Sequence, residues 1–286
     1  MKYQIITDSC CDFTEAQYRE FDVSYASLTV TYNGESHNNF SEESAVKGFY
    51  DELRGGVMAS TAAANPEDWT NAMEPALKEG RDVLVLAFSS GLSTTYQSAV
   101  IAAKELREVY PDRKIHVVDT LCAALGQGLL VWYACCKRDE GMGIDELAAW
   151  VEEHKLNVCH WVTVDDLSHL KRGGRISATT AIVGTMLNIK PIIHVDNDGH
   201  LINTAKVRGR KAAIDYLVRK LEEAEGFDNE TVFIAHGDCP EDAAELEAQV
   251  KQKCGVKNVI TGYVGPVIGA HTGPGVLVLF FLGNHR

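Results

Sequence analysis

Basic residues are in short supply. Only 27 lysines and arginines face 40 aspartates and glutamates, a formal net charge of −13 over 286 residues. Sequence-independent binding of nucleic acid needs clustered cations against phosphate, so that class of function is excluded. Long apolar runs are scarce as well. Residues 276–282 read V-L-V-L-F-F-L and stop at a glycine, far short of the roughly 20 residues that span a bilayer. The first residues, M-K-Y-Q-I-I-T-D, enter a strand pattern at once and lack the apolar core of a signal peptide. The eight cysteines include no C-x-x-C pair and no grouping with histidine at zinc spacing. They read as small buried apolar residues of a reducing compartment. The expectation is a soluble cytoplasmic protein with no metal and no cofactor. Nucleotide and hydrolase fingerprints are missing too: there is no G-x-G-x-x-G, no G-K-S/T and no G-x-S-x-G.

What the chain does have is a dense cluster of hydroxyls. Residues 88–99 read F-S-S-G-L-S-T-T-Y-Q-S-A. They follow a short apolar run (82–88) of strand character, and Tyr96, Val100, Ala103, Leu106 and Tyr110 then recur at helical spacing. A strand, a Gly/Ser turn and a helix start present free N–H groups and the positive end of a helix dipole, a setting that suits an anion. An ordinary capped loop would also use Ser or Thr here. Ser89, Ser90, Ser93, Thr94 and Thr95, however, are more hydroxyls than one cap requires. Without P-loop spacing, a carboxylate or small phosphate fits better than a nucleotide triphosphate.

The rest of the first half alternates strand and helix. A strand over 3–7 ends in T-D-S, and Thr14 with Gln17 forms a capping box. Residues 23–32 read as β structure closed by the turn signal Asn33-Gly34. Ser41 starts a helix that ends near Gly55-Gly56, and residues 59–64 form an extended loop of small residues. Asn65 caps a helix opened by Pro66, which Pro75 should break or kink. A strand over 114–119 and helices over 121–137 and 144–154 follow. This order predicts a mostly parallel sheet covered by helices, with any ligand beyond the carboxyl ends of the strands. Asp8 and Asp119 fall at such ends, where each also reads as a cap or turn former.

The second half changes character. Strands over 158–164 and 190–195 precede the hairpin signal Asp198-Gly199 and a strand over 201–207. A short helix from Asp166 ends in the basic turn Lys171-Arg172-Gly-Gly-Arg175, and residues 177–188 read as helix. Helix (210–225), strand (231–236), helix (240–253), strand (258–264) and a last strand (276–282) complete an α+β unit with a mixed sheet. The predicted fold is α/β with two domains, residues 1–157 and 158–286, and the ligand between them.

His271 lies in the Gly/Pro-rich turn 265–275, where it is either a structural residue or a ligand contact. The basic turn and the segment Lys206-Val-Arg208-Gly-Arg210-Lys211 stand out in an acidic chain as candidates for an anionic group or a partner surface. Five motifs now lie in order: T-D-S (7–9), S-S-G-L-S-T-T-Y-Q-S-A (89–99), L-K-R-G-G-R-I-S (170–177), L-N-I-K-P-I-I (187–193) and I-G-A-H-T-G-P-G (268–275). Together they resemble the DegV family, which includes the fatty-acid-binding subunits of the bacterial fatty acid kinase.

That resemblance implies a lipid-binding protein, not an enzyme, that encloses one long-chain fatty acid in a tunnel between its domains. It implies that Thr61 and Ser93 hydrogen-bond the carboxylate, that His271 sits beside it, and that Arg208 lies near the partner or the transferred phosphate. It further implies a separate ATP-binding kinase subunit that converts the bound acid to an acyl phosphate, the present chain having no ATP site of its own. Where the family commonly reads S/T-T-S-Q-P, this chain has Ser60-Thr61-Ala62-Ala63-Ala64-Asn65-Pro66, which keeps Thr61 and loses a neighbouring hydroxyl and amide. Two other readings stand beside it: a small-molecule hydrolase or phosphotransferase using Asp8, Ser93 or His271, and a binder of some other amphipathic acid.

Overall fold

The computed structural model describes residues 3–165, 167–177, 188–284 and 286. Apart from its two end positions, the helix expected over 177–188 lies outside the described residues, as does Asp166. In chain order the first half contains β1 (Tyr3–Asp8), α1 (Glu15–Glu20), β2 (Val23–Ala26), β3 (Thr29–Tyr32), β4 (Glu35–Asn38), α2 (Glu43–Arg54) and β5 (Ser60–Ala62). These are followed by α3 (Pro66–Lys78), β6 (Asp82–Ala87), α4 (Thr95–Val109), β7 (Ile115–Asp119), α5 (Ala124–Asp139) and α6 (Ile144–His154). The sheet β2-β1-β6-β7 is parallel throughout, as strand–helix alternation requires. Successive residues of β6 serve opposite faces. Val83 and Val85 pack with Trp69 and Met73 of α3 and with Ala99 and Ala103 of α4. Leu84 and Leu86 pack with Leu129 and Leu130 of α5 and Leu147 of α6.

Several local expectations change. The stretch 23–32 divides between two sheets: β2 joins the parallel sheet, while β3 pairs antiparallel with β4 and with β5. The Asn33-Gly34 turn makes this second hairpin, both residues having positive φ (52° and 81°). Residues 60–62, expected as loop, are therefore an edge strand that sets Thr61 opposite Val30. Glu42 rather than Ser41 caps α2, its carboxylate accepting from the Ser44 and Ala45 N–H groups. Pro75 does not end α3: it forfeits one hydrogen bond near the C-terminus, while buried Trp69, Met73, Ala76 and Leu77 hold the helix to Lys78. The buried stripe of α4 is Ala99, Ala102, Ala103 and Leu106, which leaves Val100 39% exposed.

The second half contains β8 (Val158–Thr163), α7 (Ser168–Arg172), β9 (Ile189–Val195), β10 (Leu201–Arg208), α8 (Arg210–Glu222), β11 (Thr231–His236) and α9 (Pro240–Cys254). It closes with β12 (Asn258–Tyr263), α10 (Pro266–Thr272) and β13 (Leu277–Leu282). Helix α10 occupies the 265–275 segment that was expected as a turn, with Pro266 in its first turn where a missing N–H costs nothing. The six strands order as β10-β9-β8-β13-β11-β12, antiparallel except for β11 beside β12. On one face Trp161, Ile192, Leu277 and Leu279 pack under α8 and α9. On the other, Val278, Val162 and Ile193 stand directly across from one another and face the first half.

Helix α5 joins the halves. Its Leu125, Leu129 and Leu130 share a core with Phe233 and Phe280. Among the described residues no helix is long and apolar enough to cross a membrane. The close approach of α5 to the mixed sheet rests on Gly126, where a Cβ would run into the His160 ring and Phe280. Gly126→Ala is expected to destabilise by about 1–3 kcal/mol through overpacking. Gly48→Ala, on the open face of α2 with nothing within 4 Å, is expected to stabilise by about 0.5–1 kcal/mol. Urea unfolding of the two variants checks the contrast.

Candidate functional site

A cavity of about 550 Å3 lies between the halves, within the range of small-molecule sites. Its floor is the inward face of the mixed sheet, with Val162, Ile193, Val195, Val278 and Phe280. The walls come from the loop after β6 (Phe88, Leu92), from α10 (Val267, Ile268) and from Leu170 in the middle of α7. In a chain with 40 acidic residues, no Asp or Glu among the described residues lines this cavity, and Arg175 is the one guanidinium among them that does.

The polar groups of the lining are linked. Thr61 Oγ1 and His271 Nε2 are 2.8 Å apart, across 210 positions of sequence. Burial first, and the Arg175 guanidinium second, push the His271 pKa down to about 4, so the ring is neutral at pH 7. Its Nδ1 is buried without a hydrogen-bond partner and faces Gly173, where any side chain would collide with the ring. Arg175 donates from Nε to the Leu92 carbonyl (3.2 Å) and from Nη1 to the Gly173 carbonyl. The guanidinium thus ties the basic turn to the serine loop.

The serine loop divides its hydroxyls between structure and cavity. Ser89 is fully buried and donates to the Gly199 carbonyl (2.9 Å), which clamps the 198–199 turn onto the loop. Thr95 is buried as well, its Oγ1 2.8 Å from Ser93 Oγ. Ser93 Oγ also accepts from the Thr95 N–H (3.2 Å), so it caps α4 while facing the cavity beside Ser90 and Thr94. Of the five hydroxyls singled out in the sequence, three line the cavity.

The structure brings Thr61, Ser93 and His271 to one cavity, together with Ala62 and Ala63 of the small-residue segment. Arg208 is not among the lining residues; it stands exposed at the end of β10, paired through its backbone with Ile189. Asp8 is fully buried elsewhere and accepts from the Phe88 N–H (2.7 Å), the Cys10 N–H (3.0 Å) and Gln127. Burial raises its pKa to about 6. Asp119 is a turn former that accepts from the Ser90 and Leu121 N–H groups. The pairing that a hydrolase needs, Ser93 bonded to His271 with an acid behind it, is not formed: His271 pairs with Thr61 and Ser93 with Thr95.

Sequence reasoning did not single out His160. It lines the cavity yet is structural, because Nε2 accepts from the Ala123 N–H (3.2 Å) and Nδ1 therefore donates to the Val158 carbonyl (3.0 Å). Burial pushes its pKa down to about 3. Nor did it separate Arg175 from the other cations of the 171–175 turn; only the fold aims it at His271.

A family model described as "Uncharacterised protein, DegV family" matches residues 2–284. A DegV domain-containing protein of Clostridium perfringens is 47% identical over 287 residues, covering 100% of this chain and 99% of its own. Among solved structures, a DegV lipid-binding protein from Thermotoga maritima aligns with a TM-score of 0.87 at 30% identity over 100% of both chains. A second Thermotoga maritima protein, whose structure is described as revealing a fatty acid binding function, aligns at 0.85 and 30% identity over 99% of both chains.

Removing the Arg175 charge should ease protonation of His271. In Arg175→Gln the His271 pKa is expected to rise from about 4 but to stay below the ordinary 6.5, because burial is the larger cause. Imidazole nitrogen shifts followed from pH 3 to 8 check both the direction and the ceiling.

Proposed function

Because the chain belongs to the DegV family, we propose that it binds one long-chain fatty acid in this cavity and presents the carboxylate to a separate kinase subunit. The carrying observation is the chemistry of the lining: a broad apolar body, no carboxylate among the described residues, and the polar groups of Thr61, Ser93, His271 and Arg175 on one cavity. An acyl chain would lie along the sheet floor, where each buried methylene contributes roughly 0.8 kcal/mol. The head group would accept from Thr61 and Ser93 in charge-assisted hydrogen bonds. With neutral His271 donating from Nε2 to Thr61 Oγ1, the threonine O–H is left to donate to the carboxylate. The opposite arrangement would bury an N–H at Nδ1 without an acceptor, the costlier of the two orphans. Arg175 would add an attractive field. The mapping of residues 1–157 and 158–286 as two domains enclosing the ligand belongs to the same reading; what supports it is that two sheets draw on 3–119 and the third on 158–282.

In the kinase step a carboxylate oxygen would attack the γ-phosphorus of ATP held by the partner, releasing ADP and leaving an acyl phosphate. The exposed cations Lys206 and Arg208 of β10 would meet the partner or the phosphate. What supports this half is the order of the five motifs and the missing nucleotide fingerprints.

Native mass spectrometry, followed by denaturation, is expected to release a stoichiometric fatty acid; a different amphipathic acid would move the assignment to that ligand class. Thr61→Ala with Ser93→Ala is expected to weaken binding at least about tenfold, and full affinity in the double variant would sink the carboxylate assignment. Affinity should climb about fourfold per added methylene until the tunnel is full. Acyl phosphate is expected only when an ATP-binding partner subunit is added, and Arg208→Glu should slow its formation without changing fatty-acid affinity. Acyl phosphate made from this chain and ATP alone would refute the division of labour.

A further inference from the structure

A second cavity, about 490 Å3, shares no lining residue with the first and has the opposite character. It lies between α1 and β2 on one side and the end of β12 on the other. Asp12, Glu15 and Glu43 line it, and no Lys or Arg does among the described residues. Aromatic rings make up much of the wall: Phe13, Tyr18, Tyr25, Phe40 and Tyr263. Tyr18 and Tyr25 stack with centroids 4.1 Å apart, and Tyr263 lies 4.4 Å from His236. His236 is no counter-charge, since burial lowers its pKa and its Nδ1 accepts from the Cys239 N–H.

Asp12 is the decisive group. It is only 6% exposed, and neither carboxyl oxygen has a hydrogen-bond partner. The neighbouring Asn39 donates to the Ser9 carbonyl (2.8 Å) and accepts from the Val267 N–H (3.0 Å), and neither its amide nor the Gly265 N–H reaches Asp12 in hydrogen-bond geometry. Burial is the largest cause that holds the Asp12 carboxyl well above the usual range. A buried acid left without a partner is expensive, and a cation placed against it relieves that cost. Ring faces beside carboxylates are a recognised setting for ammonium groups. A divalent metal fits less well. Among the described residues the acids and histidines that converge within 4.8 Å are Asp196, Asp198 and His200, on another turn, and the cavity is far larger than an ion.

We propose that this second cavity binds a small organic ammonium ion, with Asp12 as its buried counter-ion and the aromatic rings as its walls. Primary amines and quaternary ammonium ions share this chemistry, so both are tested. The 286-residue chain, carrying its fatty acid, is titrated calorimetrically with n-butylammonium chloride, tetramethylammonium chloride and, as a metal control, magnesium chloride, at constant ionic strength. At least one ammonium probe is expected to saturate, and the stronger of the two identifies the source. Asp12→Asn, which tolerates the left-handed backbone at this position (φ 56°), is expected to weaken binding at least about tenfold. Glu43→Gln, at the exposed rim and harmless to the fold, is expected to weaken it severalfold. Fatty-acid occupancy should be unchanged in both variants. The proposal is overturned if neither probe saturates, if both variants bind as the parent does, or if magnesium displaces the probe.

Discussion

The serine-rich wall of the main cavity is held in place by the buried carboxylate of Asp8. One oxygen takes the Phe88 N–H at the end of β6, the other takes the Cys10 N–H just past β1, and Gln127 of α5 closes the group. The same amide donates to Thr7 Oγ1, and that hydroxyl donates to the Leu86 carbonyl. Two neighbouring parallel strands and the helix that bridges the halves therefore share one polar knot in an otherwise apolar interior. The knot sets where β6 stops, and with it where Ser90, Ser93 and Thr94 stand. Burial works against this carboxylate, as its raised pKa records, and three donors are what a charge so placed requires.

Long elements with strong periodicity were legible in the sequence: β1, β6, β7, β11, α6, α9 and the 196–200 hairpin fall where alternation, caps and turn pairs put them. What could not be read was partnership. The stretch 23–32 shows uniform strand character, yet its halves hydrogen-bond to different sheets, because pairing depends on residues 60–62 arriving from a distance. Helix α10 hides behind a Gly/Pro-rich composition that suits a turn, although Pro266 at its first turn was a usable signal. The site divides in the same way. Thr61, Ser93 and His271 carried motif signals, but the link between Thr61 and His271 spans 210 positions and is a property of the fold. His160 and Arg175 gave no local sign that separated them from other histidines and cations.

The two cavities show how an acidic chain sorts its charge. Among the described residues, carboxylates are kept out of the lining where Arg175 and hydroxyls gather, and Lys and Arg are kept out of the lining that holds Asp12. A like charge near a buried group costs far more than one at the surface, because little solvent screens it. The net charge of −13 is therefore a poor guide to either interior, and the local field is set by a handful of side chains.

The mixed sheet places cavity residues and core residues next to each other in sequence. Val162, Ile193 and Val278 look toward the cavity, while Trp161, Ile192 and Leu279 look toward α8 and α9. A strand's two-residue period keeps these sets on opposite sides of one backbone. Evolution can thus resize the compartment one methyl group at a time, trading Val for Ala or Leu at 162, 193 or 278. The helix-covered side keeps its packing through such changes. Among relatives, divergence at these three positions would report a change in the size of the compartment, and divergence at their sequence neighbours would report only how each lineage holds its sheet together.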